Sequence, residues 1–403
     1  MHTAIVFVMV QLLLAATWTV YAAFLPQLAA QAGIPKEHVA WILLMDQAIF
    51  MVTDVALGVV ADRVARAMRR LGGWLLGMTI VSCIALVLMA QAGSPAVLLA
   101  LTALWAATSS ALRAPPLVMI AKRIETSSSP FFVAASFLGV GFAGALAPML
   151  TARLRGLSPL LPFVLASAGL AIAVLALGWT EKTLQPRADS DKASAETGTP
   201  VRSLWLFFCA VALLGLGFQV HTALNSAPAY MKFARHAELE KLMPAFWIGF
   251  VLCALVPGSA AFKRFPQQLG LLAAAALGAI ALSGFAAAAS LPGVLAAQFA
   301  AGAFWGVIGG TAANSAIEAG RVGREGGYTG LLFALAALAA FARIALVATG
   351  INKMPDMAAL LPWLPPMAWG AAALLLAAFV THNLSHFAGQ LHAARQPADF
   401  GKN

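Results

Sequence analysis

Twelve long apolar runs, separated by short polar breaks, make up almost the whole chain. They fall at residues 4–27, 38–61, 71–91, 95–121, 130–152 and 159–180, then at 203–231, 242–262, 268–290, 293–319, 327–350 and 357–384. Each is long enough to cross a hydrocarbon core of about 30 Å at about 1.5 Å per helical residue. In lipid the backbone N–H and C=O groups must bond within the segment, so runs of this length are helices. The two sets of six are parted by EKTLQPRADSDKASAETGTPVR, Glu181 to Arg202, whose Ser, Ala, Thr and charged residues read as a flexible linker. The expected fold class is all-α integral membrane, with twelve transmembrane helices in two pseudo-symmetric six-helix bundles. The bundles span 1–180 and 203–403, and the linker 181–202. The first run is expected to be a retained span, because no Lys or Arg precedes it and it carries Gln11, Thr17, Trp18, Thr19 and Tyr21.

Composition narrows the class further. Of the 403 residues, 61% are hydrophobic and 10% charged, where a soluble domain has roughly a quarter charged. The net charge of +10 sits mostly in arginine-rich connections and sets topology, so no nucleic-acid partner is implied. With both termini inside, sixteen Lys and Arg fall on cytoplasmic segments and seven outside. That bias supports both termini being cytoplasmic, and the expected location is the cytoplasmic (inner) membrane. The remaining two of the 25 basic residues, Arg113 and Arg343, lie inside spans. Cys83, Cys209 and Cys253 all sit in apolar runs, an odd set that points to packing rather than disulfides.

Between the second and third runs lies GVVADRVARAMRR, Gly58 to Arg70. Its arginines, Arg63, Arg66, Arg69 and Arg70, cannot stay in hydrocarbon, so the segment is expected to be a tight loop at the cytoplasmic surface. Asp62 is placed either to cap a helix N-terminus or to pair with Arg66 one turn on, and Gly58 to let two helices approach closely. The string resembles the signature loop between spans two and three of the major facilitator superfamily, with Ala65 where that family has a second glycine. The resemblance implies that the loop meets the start of span eleven, here Gly327–Tyr328, and that spans two and eleven meet between the halves. It also implies that spans one, four, seven and ten line a central cavity. After span eight, GSAAFKRF (Gly258 to Phe265) echoes the loop weakly, with Phe262 in the place of Asp62.

Polar groups inside spans are costly and so carry most of the functional information. Arg113, in SSALRAPP, resembles the family's span-four arginine; it either faces the cavity or forms a structural pair with Asp54 at the same depth. Pro115–Pro116 frees carbonyls beside it and favours a kink. Span one offers Gln11, Trp18 and Tyr21; span seven offers Gln219, His221 and Asn225; span ten offers Thr311, Asn314 and Glu318. With Arg113 these form the expected substrate cavity, although a permanently neutral, hydrogen-bonded His221 and packing roles for Trp18 and Tyr21 remain open. Asp46 and Arg343 lie roughly 12 and 10 Å below the outer surface, and opposite charges at matched depth are expected to pair. That pair either latches an outer gate, released by protonating Asp46, or merely makes two buried charges tolerable. Gating and coupling are thus assigned to Asp46, Arg343, Asp54, Gly58, Asp62, Arg63 and Arg66. Gly139, Gly141, Gly144 and Pro148 on span five match the family's antiporter signature too loosely to assign export. Gly302, Gly306 and Gly310 make a ridge for helix packing. His382 and His386 have metal-pair spacing but no third ligand, so neither a metal nor a cofactor is expected.

Two function classes follow. One is a secondary transporter, monomeric, embedded in the lipid bilayer and moving a small-molecule substrate by alternating access coupled to protons, as symporter or antiporter. The other is a membrane-embedded lipid-modifying enzyme, which would need a clustered catalytic set or a sizeable loop. No loop exceeds the linker and no Walker or acidic metal motif is present, so the transporter is preferred and no enzyme is expected. Efflux of amphipathic drugs and uptake of an anionic metabolite both remain open.

Overall fold

A computed structural model describes residues 2–68, 70–154, 156–184, 203–320 and 323–383. Most of the expected linker and His386 lie outside the described residues. Among the described residues, twelve apolar helices are long enough to cross a membrane: α1 His2–Gln31, α2 Lys36–Ala67, α3 Gly72–Met89, α4 Pro95–Arg123, α5 Ser129–Leu154, α6 Leu160–Thr183, α7 Leu204–Met231, α8 His236–Gly258, α9 Gln267–Ala286, α10 Leu291–Ala319, α11 Glu325–Ala348 and α12 Leu364–His382. They form an integral membrane protein of two six-helix bundles, α1–α6 and α7–α12.

The two bundles repeat local devices as well as topology. Ser94 and Ser290 start α4 and α10 by accepting from Val97 N (3.4 Å) and Gly293 N (3.3 Å), each with a proline in the first turn where a missing N–H costs nothing. Two helices depart from regular form. In α4 a 3-10 turn at Ser110–Leu112 precedes Pro115–Pro116. In α7 a π turn spans His221–Asn225, its widened ring closed by Ser226, whose hydroxyl donates to His221 O at 2.8 Å.

Several boundaries differ from expectation. The segment Gly58 to Met68 is not a loop: α-helix continues through Met68. No glycine or proline interrupts ADRVARAM, and cations at a helix C-terminus are favoured by its dipole, so the helix runs on past the apolar stretch. The eighth helix ends at Val256–Pro257–Gly258, before the expected residue 262. The twelfth begins at Leu364 because Pro365 and Pro366 suit a first turn, and the preceding Pro355–Leu360 is a separate short helix.

The halves meet along α2 and α11. A Cβ on Gly58 would overlap the Gly326 carbonyl, and one on Gly330 would overlap Asp54 O, so glycine at both positions lets the backbones touch. A second seam joins α5 and α8. There Gly141 and Gly144 make room for Phe250 and Trp247.

Candidate functional site

A cavity of about 360 Å³ lies where α1, α2, α4 and α11 converge. Its lining follows helical periodicity on each element: Gln11, Leu14, Ala15 and Trp18 on α1; Gln47 and Phe50 on α2; Trp105, Ser109 and Arg113 on α4; Phe333, Ala336, Ala340 and Arg343 on α11. Val140 of α5 and Gln219 of α7 complete it. One wall is aromatic. Trp18 stacks on Trp105 with centroids 5.7 Å apart, and Phe50 packs edge-on to Trp18 at 5.8 Å.

The two intramembrane arginines both reach this cavity but differ in their partners. Arg113 Nη1 lies 2.7 Å from Oδ2 of the fully buried Asp54. Its guanidinium also sits over Phe50 (5.0 Å) and Phe333 (5.3 Å), a further attraction for a cation. Arg343 has neither aid: it makes no ion pair or hydrogen bond among the described residues, and its Nε is buried without a partner. The expected Asp46–Arg343 pair is therefore not formed in this conformation. Asp46 instead accepts from Tyr21 Oη (3.1 Å) and Gln47 Nε2 (2.9 Å), two donors close enough in the fold to satisfy a carboxylate without a cation. Arg343 stays within electrostatic reach of Asp46.

Of the expected cavity residues, Gln11, Trp18, Arg113 and Gln219 line it. Five do not. Tyr21 is fully buried and turned to Asp46. His221 is packed against Phe246 of α8 and Phe285 of α9, away from the interface. Asn225 donates to Leu361 O at 2.7 Å, which ties α7 to the segment before α12. Asn314 folds back on Gly310 O at 2.9 Å, and Glu318 lies 3.4 Å from Gln268 Nε2 of α9. The expected α10 wall is absent because α10 turns its polar side chains to its own backbone and to α9, leaving the place to α2 and α11. Sequence reasoning missed Gln47, Phe50, Trp105, Ser109 and Phe333. Phe50 lies four residues after Asp46, and Ser109 and Trp105 lie four and eight before Arg113, so helical spacing from the charged residues was the available signal for those three.

On one side of the cavity the two bundles are bolted together. Asp62, 4% exposed, accepts from Gly326 N (2.9 Å) and Gly327 N (3.1 Å) at the start of α11. A carboxylate at a helix N-terminus meets unpaired donors and the positive end of the dipole. Arg66 Nε donates to the Asp62 carbonyl at 3.2 Å, so it braces the backbone rather than pairing with the carboxylate. Arg63 and Arg66 line a groove here with Arg324 and Tyr328. Lys122 pairs with Glu325 at 2.8 Å, and Lys263 donates to Ser127 O at 2.6 Å. Among the described residues, every hydrogen bond and ion pair between the halves lies on this face. Within the first half, Glu181 is a further link that sequence reasoning placed in the linker. It accepts from Leu71 N (2.8 Å) and Gly72 N (2.7 Å) at the start of α3, 3.8 Å from Arg123.

Solved structures share this arrangement. The human organic anion transporter MFSD10 (TETRAN) superposes with a TM-score of 0.70 at 15% identity, over 93% of this chain and 99% of that one. The proton:xylose symporter XylE bound to 6-bromo-6-deoxy-D-glucose gives 0.67 at 11% identity, over 95% of each chain. The transporter FucP in its outward conformation gives 0.68 at 13% identity, over 93% of this chain and 98% of that one. Comparison with curated protein sequences returns no match. The sequence profile of the Major Facilitator Superfamily matches residues 7–343, most of the chain, and with the two six-helix bundles and the Asp62 junction between them it establishes that this protein belongs to that superfamily.

Proposed function

We propose that the protein is a secondary transporter that carries a small solute across the cytoplasmic membrane by alternating access, coupled to protons, and that it acts as a monomer with both termini in the cytoplasm. The observation that carries this reading is the placement of the cavity. It lies between two bundles whose polar links are confined to one side of it, so breaking a few contacts there exposes the cavity to that side. The excess of Lys and Arg assigns that side to the cytoplasm, which makes the present conformation outward-facing. Transporters of an organic anion and of xylose have the same fold, and a solute-sized cavity suits the same kind of cargo.

Asp46 is the coupling residue in this reading. Facing outward, its carboxylate rests on Tyr21 and Gln47 while Arg343 turns to the cavity. Facing inward, α2 and α11 close on the outer side, Asp46 meets Arg343, and the pair holds the outer gate until a proton neutralises Asp46. A ligand-stabilisation screen on purified protein identifies the solute, since a ligand that binds the native state raises its apparent stability. Proteoliposomes under a pH gradient then test coupling. Asp46→Asn is expected to abolish proton-driven accumulation and spare solute exchange; full proton-driven accumulation by the variant refutes the assignment.

A further inference from the structure

We infer that the solute is an organic anion with a flat apolar body, its carboxylate held by Arg343 and its ring lying on the Trp18–Trp105–Phe50 wall; this rests on the transporter reading and specifies its cargo. The argument begins with the charge of the lining. Two basic side chains face the cavity and no acidic one does. Arg113 is already compensated by Asp54 at 2.7 Å and by two aromatic faces. Arg343 is not: its Nε is buried without an acceptor, and among the described residues its guanidinium makes no ion pair. The carboxylate within electrostatic reach of it, Asp46, is 0% exposed and already holds the Tyr21 and Gln47 donors. A half-buried cation with a carboxylate nearby but no direct partner on its guanidinium is unfavourable, and a ligand carboxylate lowers that cost by accepting from the planar fork.

The rest of the lining sets the shape of the anion. Trp18, Phe50, Trp105 and Phe333 surround the space with ring faces and edges, which favour a flat apolar or aromatic body over a polyhydroxylated one. With one arginine lacking a direct partner, the cavity matches one negative charge. A cationic ligand would meet Arg343 with no acidic side chain lining the cavity to receive it.

The test uses purified full-length protein in lipid nanodiscs and three probes of one shape: 2-naphthoate, the neutral 2-naphthamide and the cationic 2-naphthylmethylammonium. Binding is read from thermal stabilisation and from quenching of tryptophan fluorescence. The expected result is that naphthoate binds at least about tenfold more tightly than the amide, the size of one charge-assisted hydrogen bond, with the cation weakest. Arg343→Gln is expected to erase that preference and Arg343→Lys to keep part of it. Equal binding of acid and amide by the parent protein, binding of neither, or a preference that survives Arg343→Gln overturns the inference. Flux is measured separately in proteoliposomes. Selective naphthoate binding without any flux leaves the anion site standing and refutes transport, whereas flux of neutral or cationic solutes without carboxylate preference leaves transport standing and refutes the anion.

Discussion

Replacing Asp62 by Asn tests how strongly the carboxylate at the start of α11 holds the two halves together. The side chain is almost fully buried, and its two oxygens each take one backbone N–H, from Gly326 at 2.9 Å and Gly327 at 3.1 Å. Asparagine keeps the shape, but its NH₂ opposes one of those donors and its charge no longer meets the helix dipole. Losing one charged hydrogen bond costs about 1.5–3 kcal/mol and losing the dipole interaction about 0.3–1 kcal/mol. Together these are about 2–4 kcal/mol, a shift of at least thirtyfold from the closed toward the open arrangement of this face. Spin labels on Glu125→Cys and Arg264→Cys, exposed positions on opposite halves at this face, report the separation after Cys83, Cys209 and Cys253 are replaced. The variant is expected to populate a second, longer distance and to transport more slowly, with solute affinity and expression little changed. A distance distribution and a transport rate identical to those of the parent refute the reasoning.

Other outcomes follow from the same contacts. Gly58→Val places side-chain atoms against the Gly326 carbonyl and should part α2 from α11, an overpacking cost of about 1–3 kcal/mol seen as a lowered Tm and a lengthened distance at the same labels. Arg113→Ala leaves Asp54 buried without its counter-ion and should cost about 3–5 kcal/mol in thermal unfolding, most of it recovered by adding Asp54→Asn; no recovery would show that the pair is not what is lost. Glu181→Gln weakens the cap on α3 and should lower stability by about 1–3 kcal/mol without altering solute binding, which calorimetry on the purified protein checks.

The spans were legible because length and hydropathy leave helix as the form backbone takes in lipid. The junction was legible only in outline: GVVADRVARAMRR marked where the halves meet, but whether Asp62 capped a helix or paired with Arg66 depended on α11, more than 260 residues away. The cavity was the least legible part. Residue type singled out His221, Asn314 and Glu318, whereas the fold spends them on packing and local bonds. The aromatic wall was hidden among other apolar residues, since Trp105 and Phe333 look like core until a space opens beside them. Arg343 was visible from its depth in α11, but not that Tyr21 and Gln47 would occupy its expected partner. Side-chain competition of that kind is decided by geometry that spacing along one helix does not contain.

Alternating exposure of the cavity is the central claim, and cysteine accessibility measures it without knowing the solute. Ala336 lines the cavity from α11, so Ala336→Cys in a background lacking the three native cysteines is treated with a membrane-impermeant maleimide in right-side-out and inside-out vesicles. The account predicts labelling from the outer side when the Asp62 junction is intact, and a marked gain of labelling from the cytoplasmic side when Asp62→Asn is added. A cavity reached only from the cytoplasmic side with the junction intact, or equally from both sides whatever occupies position 62, would contradict it.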